Sequence, residues 1–123
     1  MLNNWRARWG YATPPPTLIV SYQRQPVAEL KKERGRFFFR YLDAFFHLAL
    51  TPLPGLAPNR DFVSFVDLPA FFKERLPDLR RPEIRQYIRD NQIDENDELQ
   101  MLSCLGAHSI TDSFELKLQP KVA

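Results

Sequence analysis

A chain of 123 residues that is 44% hydrophobic and 13% aromatic carries enough apolar side chains for one packed core, which excludes wholesale disorder and leaves no room for a second domain. Its formal net charge is only +2, yet residues 1–40 hold eight Lys or Arg against two Glu, and residues 90–123 hold two Lys against seven acids. A chain polarised in this way is expected to contact itself or an oppositely polarised protein rather than cover a nucleic acid, which favours a continuous positive face.

Residues 1–16 read as an N-terminal extension with no apolar stretch long enough for a secretory signal or an anchor, ending in the stiff, extended run Thr13-Pro14-Pro15-Pro16-Thr17. The β-branched stretch Thr17–Tyr22 and the segment Val27–Leu30, separated by a Gln23-Arg24-Gln25-Pro26 break, read as a hairpin. Gly35–Leu42 is apolar on both faces; its aromatic content and the preceding Lys-Lys-Glu-Arg-Gly turn favour a third strand. Residues 51–60 carry three prolines and a glycine and must form a loop. Asp67 is placed to cap a short helix through Arg75 that Pro77 stops. Pro82 opens a second helix, with Ile84, Tyr87 and Ile88 on one face beside an i, i+4, i+8 stripe of Arg81, Arg85 and Arg89. Asp97 caps a third, with Leu99, Leu102 and Leu105 facing the core and Gly106 ending it. Ser113–Leu118 alternates as a final strand, so the class is α+β, with residues 17–118 as the domain and 119–123 as a tail.

Single residues suggest little chemistry. Cys104 is the sole cysteine, so no internal disulfide is possible, and no Cys/His spacing matches a structural zinc site; a reducing, cytoplasmic setting is expected, with no cofactor. The longest apolar region, Phe37–Pro54, is broken by Arg40, Asp43 and His47 and is a core segment rather than a membrane span. Cys104 with His108, and Asp43 with His47, stand four apart; a nucleophile–base or metal role would also need an orienting third group and an open cleft. Trp5, Arg6, Arg8 and Trp9 interleave aromatic and basic residues as nucleic-acid binders do, but without a larger basic field around them.

The succession of Val27-Ala28-Glu29-Leu30, Phe39-Arg40-Tyr41, Leu48–Pro54, Phe71–Asp78 and Asp97–Gly106 resembles, in order and spacing, the small N-terminal subdomain of HipA-family toxin kinases. There a V-G-x-L strand is followed by an aromatic F-x-Y strand, an L-S-x-x-L-P strand, a helix ending F-F-x-N-L-L-P and a D-x-F-x-L-L-x-x-I-G helix. Departures include Ala28 at the glycine position and Ser109–Ser113 in place of G-A-V before the last strand. The resemblance implies a small antiparallel sheet or partial barrel with three short helices. The phosphate-binding loop, catalytic Asp and metal-binding residues of a kinase lie beyond this subdomain, so no enzymatic activity is expected.

A free-standing copy of this subdomain is similar to the HipS-like antitoxins of three-part HipBST-type systems. That likeness implies an antitoxin that binds a HipA-like (HipT) Ser/Thr kinase and blocks its active site, with a HipB-like DNA-binding protein as third member and neither direct nucleic-acid nor membrane contact. It also places the segment from Phe65 to Asp78 beside the kinase cleft, making Phe65, Phe71, Phe72, Lys73, Arg75 and Asp78 candidate docking residues. Arg81 and Arg85 are further candidates from the cluster Arg80, Arg81, Arg85 and Arg89, which reads either as a contact for an acidic kinase surface or phosphate or as a solvated flank paired with Asp94, Glu95, Asp97 and Glu98. Because neighbouring helical residues point about 100° apart, one of Phe71 and Phe72 is expected in the core and the other at the surface. The competing reading is a nucleic-acid-binding regulator that uses residues 79–89 as a basic helix.

Overall fold

The computed structural model describes residues 16–109 and 112–119; the expectations for Trp5, Arg6, Arg8 and Trp9 lie outside the described residues. Strands β1 (Thr17–Tyr22), β2 (Gln25–Glu33) and β3 (Arg36–Tyr41) form an antiparallel meander. Helix α1 (Asp43–His47) and a long loop lead to β4 (Val63–Phe65), then to α2 (Ala70–Lys73), α3 (Pro82–Asp90), α4 (Glu98–Leu105) and β5 (Phe114–Gln119). The sheet order is β4-β3-β2-β1-β5, with every pairing antiparallel. The α+β expectation holds, and the sheet is open; among the described residues β4 and β5 are its two edges, and there are four helices rather than three.

The two hairpins are tighter than the sequence suggests. Gln23 and Arg24 both have positive φ (50° and 69°), as do Arg34 and Gly35 (52° and 77°), the backbone twist that two-residue turns need to keep right-twisted strands in register. The expected four-residue break therefore shrinks to Gln23-Arg24, and β2 starts at Gln25. Pro26 is tolerated because β2 pairs with β3 only from Ala28 onward, and its other neighbour β1 shifts register between Val20 and Ser21.

Register decides which face is the core. Leu18, Leu30 and Phe39 stand abreast on β1, β2 and β3, as do Val20, Ala28 and Tyr41, and Leu116 of β5 continues the second row. Phe45 of α1, Phe71 and Phe72 of α2, and Leu99 and Leu102 of α4 pack onto this face. The opposite face carries Ile19, Glu29 and Arg40 in one row; Arg40 reaches Glu29 at 3.5 Å and lies, like Lys31, 4.5 Å from the Phe62 ring. A second, smaller cluster of Ile88, Ile93 and Met101 sits under α3, and Leu76 touches both clusters.

Residues 48–54, expected as a strand from the resemblance, form none: Ala49 has a φ of 53° and Pro52 and Pro54 supply no amide donors. The loop predicted over 51–60 is present, held by one buried side chain. Tyr41 donates its hydroxyl to the Leu56 carbonyl at 2.6 Å and accepts from the Leu53 amide at 2.9 Å, which brings Leu53 and Leu56 into the core. Asp67 is not a cap: Pro69 precedes a helix of only four residues with no side-chain cap. Asp97 does cap α4, accepting from the Gln100 amide, and Gly106 follows its last turn. On α3, Ile88 is buried but Tyr87 is 41% exposed, so it does not share the core face as predicted.

Burial pushes the Tyr41 phenol above its ordinary value, with the Leu53 amide opposing this more weakly. The folded state thus favours the neutral phenol; this contribution is complete below the unfolded value of about 10 and is lost as pH rises through the folded value. Tyr41→Phe is expected to cost about 1–3 kcal/mol in urea denaturation, since it leaves the Leu53 amide and Leu56 carbonyl short of a partner. The variant should also lose the part of the decline in stability above pH 10 that Tyr41 causes.

Candidate docking surface

Segment Phe65–Asp78 spans the interior and the surface of the domain. Its geometry starts from Arg75. This guanidinium, on a side chain only 4% exposed, donates from Nε to the Gly106 carbonyl (2.8 Å) and from Nη1 to both Asp112 carboxylate oxygens (2.9 and 2.7 Å). From Nη2 it donates to the carbonyls of Ala107 (3.2 Å) and Phe114 (2.9 Å). These five contacts match the five N–H donors of arginine, so the charge is internally satisfied while joining the exit of α2, the end of α4 and the start of β5. Gly106 permits the approach: a β-carbon there would lie 3.1 Å from the Arg75 carbonyl oxygen and 3.2 Å from Arg75 Cβ. Arg75 is therefore a tie within the domain and not a free surface anchor, because the Gly106 and Phe114 carbonyls and the Asp112 carboxylate depend on it at a crowded junction.

The two phenylalanines also differ from expectation. Phe72 is fully buried and meets Phe39 (centroids 5.9 Å apart), while Phe71, 8% exposed, meets Phe114 at 6.0 Å. Both are covered because α2 is a single turn with the sheet under one flank and the start of β5 beside the other. Divergent directions on a helix put one residue outside only where one flank is free. Beside Phe71 and Arg75 opens a cleft of about 450 Å³, walled on its other side by Pro52, Leu53 and Pro54.

The remaining candidates lie at the surface. Phe65 is half-buried on β4 and packs at the margin of the core; Lys73 is exposed. Asp78 is exposed and paired with Arg80 at 3.1 Å, and that hydrogen bond holds its carboxyl below the usual range. Arg81 pairs with Glu83 and Arg85 with Glu95. The arginine stripe of α3 is thus largely answered by carboxylates. The next helix, α4, opens with Asp97 and Glu98 and buries Leu99, Met101 and Leu102, so it has neither the charge nor the free face of a groove-reading helix. Asp43 is paired with Arg60, His108 Nε2 lies 3.3 Å from Glu115, and Cys104 is exposed. Among the described residues no three His, Cys, Asp or Glu side chains gather as metal ligands would, and no helix is long and apolar enough to cross a membrane.

Sequence reasoning missed the short β4 strand and what surrounds it. Val63 is 36% and Val66 64% exposed, at the edge where the sheet has no further neighbour among the described residues. The β-branched Val63 and Val66 around an aromatic residue were the available signal.

Against this geometry the comparison with protein families is direct: residues 18–110 match the family described as HipA N-terminal domain. The chain belongs to that family. It is thereby related to the HipA toxin–antitoxin family, and the matched region is not the kinase catalytic domain. No curated protein matches the chain significantly. The HipA N-terminal domain match begins within β1 and ends after α4, taking in the meander, the Tyr41-pinned loop and the Arg75 residue whose contacts fasten α2 to α4.

Arg75→Met is expected to lower stability by about 3–5 kcal/mol, because it leaves the Asp112 carboxylate without its cation and the Gly106 and Phe114 carbonyls short of a donor; Phe72→Ala should cost a similar amount through the cavity it leaves. Arg80→Ala, at a 91% exposed side chain, should leave the thermal midpoint unchanged. Thermal and urea melts of the three variants check the contrast, and an Arg75→Met protein as stable as wild type would remove the tie from its role.

Proposed function

We propose that this chain is an antitoxin subunit of the HipS kind: it binds a HipA-like (HipT) Ser/Thr kinase at the place of the kinase's N-terminal subdomain and obstructs the active site. It does so without catalytic activity of its own, in the cytoplasm and alongside a HipB-like DNA-binding protein. The observation that carries this reading is the match of residues 18–110 to the HipA N-terminal domain, a region distinct from the catalytic domain and organised here around its own core.

The mechanism is steric. A domain that already satisfies its buried charge internally needs no reorganisation to dock, so its binding free energy goes into the contact itself. Lys73, Asp78, Arg81 and Arg85 supply the accessible polar rim of the segment, and Phe65 its margin with the core. Phe71, Phe72 and Arg75 act from inside by holding that segment in place. Pairing of Arg80 with Asp78, ahead of α3, and of Arg81 and Arg85 with Glu83 and Glu95 favours a protein partner over a nucleic acid.

Co-expression with a HipA-like kinase encoded beside the gene should rescue growth and yield a stable complex, and the purified chain should suppress kinase autophosphorylation in proportion to complex formed. The double variant Lys73→Glu with Arg85→Glu should keep the wild-type melting profile and bind about tenfold more weakly, the effect of a few misplaced charges at an interface. Absence of both complex and rescue with the wild-type chain would sink the antitoxin reading while leaving the family membership untouched.

A further inference from the structure

The two edges of the sheet are finished differently. At β5 the chain closes its own edge: the Leu116 amide donates to the Ala107 carbonyl (2.9 Å) and the Leu118 amide to Ser103 Oγ (3.1 Å). At β4 no such closure exists among the described residues. Val63–Phe65 pair with β3 on one side, and no other backbone or side-chain group bonds to their outer backbone edge. An open edge offers unpaired N–H and C=O groups to an extended chain, and proteins usually blunt it.

The charges around this edge are unusual for the molecule. All 15 acidic residues of the sequence are described, and 12 of them have an ion pair or a side-chain hydrogen bond. The remaining three, all exposed, are Asp61, Asp67 and Glu74, and two of these bracket β4, one before and one after it. Between them Val63 and Val66 present apolar surface. An edge flanked by uncommitted carboxylates and lined with valine suits a strand that carries cations at both ends of a short β-branched or apolar stretch. It does not suit a second copy of this chain. In the antiparallel register that pairs Val63–Phe65 with itself, Asp61 falls opposite the other copy's Asp67 at each end, and like charges directly opposed are destabilising.

We infer that the β4 edge, Val63–Phe65 between Asp61 and Asp67, accepts an extended segment of the kinase partner as an added antiparallel or parallel strand, with Lys or Arg of that segment meeting the two carboxylates. This rests on the antitoxin reading and deepens it by assigning the contact that fixes the partner's register.

Hydrogen exchange of the full chain, free and in complex with the co-expressed kinase, tests the inference together with the double variant Asp61→Lys, Asp67→Lys and the single variant Val66→Asp. Amides of residues 61–67 should be slowed on binding. The charge-reversal variant should bind about tenfold more weakly or worse with an unchanged thermal midpoint, and Val66→Asp should also weaken binding. Unchanged exchange over 61–67 in a complex that forms normally, with both variants binding as wild type, overturns the edge assignment and leaves the antitoxin reading standing. Failure of the wild-type chain to form any complex overturns both. A free chain that is dimeric, with 61–67 already protected, assigns the edge to a second copy and overturns the kinase segment as occupant.

Discussion

The Arg75 guanidinium is the contact on which the helical half of the domain depends. Three pieces of chain that are remote in sequence, the exit of α2, the α4 terminus with its following residues and the start of β5, converge on one planar group. The exit of α2 supplies the cation, and the other two bring carbonyl and carboxylate oxygens that would repel one another without it. A lysine could not replace it, because three donors on a single nitrogen cannot reach oxygens arranged around a plane. Gly106 and Phe71 are its necessary companions, the first by leaving room and the second by presenting its ring 5.4 Å from the guanidinium carbon. The tie also positions β5 beside β1, so a polar junction at one end of α2 determines how an apolar strand completes the sheet.

Much of the fold was legible where local chemistry governs. The β-branched run Thr17–Tyr22, the proline-laden loop, Pro82 at the start of α3, and the Asp97 cap with Gly106 closing α4 all act within a few residues of themselves. What could not be read depends on distant partners. α2 was expected to begin at an Asp67 cap but spans only Ala70–Lys73, because the chain there is placed by two phenylalanines entering the core and not by a cap. The strand β4 has three residues and exists through its pairing with Phe37–Phe39. Arg75 looked like a surface anchor since an arginine after a short helix usually is one; its partners lie more than 30 residues downstream, where no local pattern announces them.

Among the described residues, few ion pairs join the basic and acidic parts of the sequence. Lys32 bonds Glu98 across the fold at 2.9 Å, but most ion pairs among the described residues are local, as between Asp78 and Arg80, Arg81 and Glu83, or Arg85 and Glu95. Such exposed pairs contribute little to stability. Their effect is to mute the field of α3, which turns an arginine-rich helix into a nearly neutral flank. The candidate site was thus partly legible: segment 65–78 is where surface and core meet, while the residues singled out within it divide between the two.

The long reach of β5 has a consequence for the newborn chain. β1, β2 and β3 are joined by two-residue turns and can pair as soon as they are made, whereas Thr17 finds its partner Gln119 across almost the whole sequence. Closing so large a loop is slow compared with zipping a hairpin, so the meander is complete well before its neighbour arrives. During translation, therefore, β1 stands as a temporary rim with Leu18 and Val20 uncovered on one side, the state in which this polypeptide is most exposed to mispairing and to chaperones.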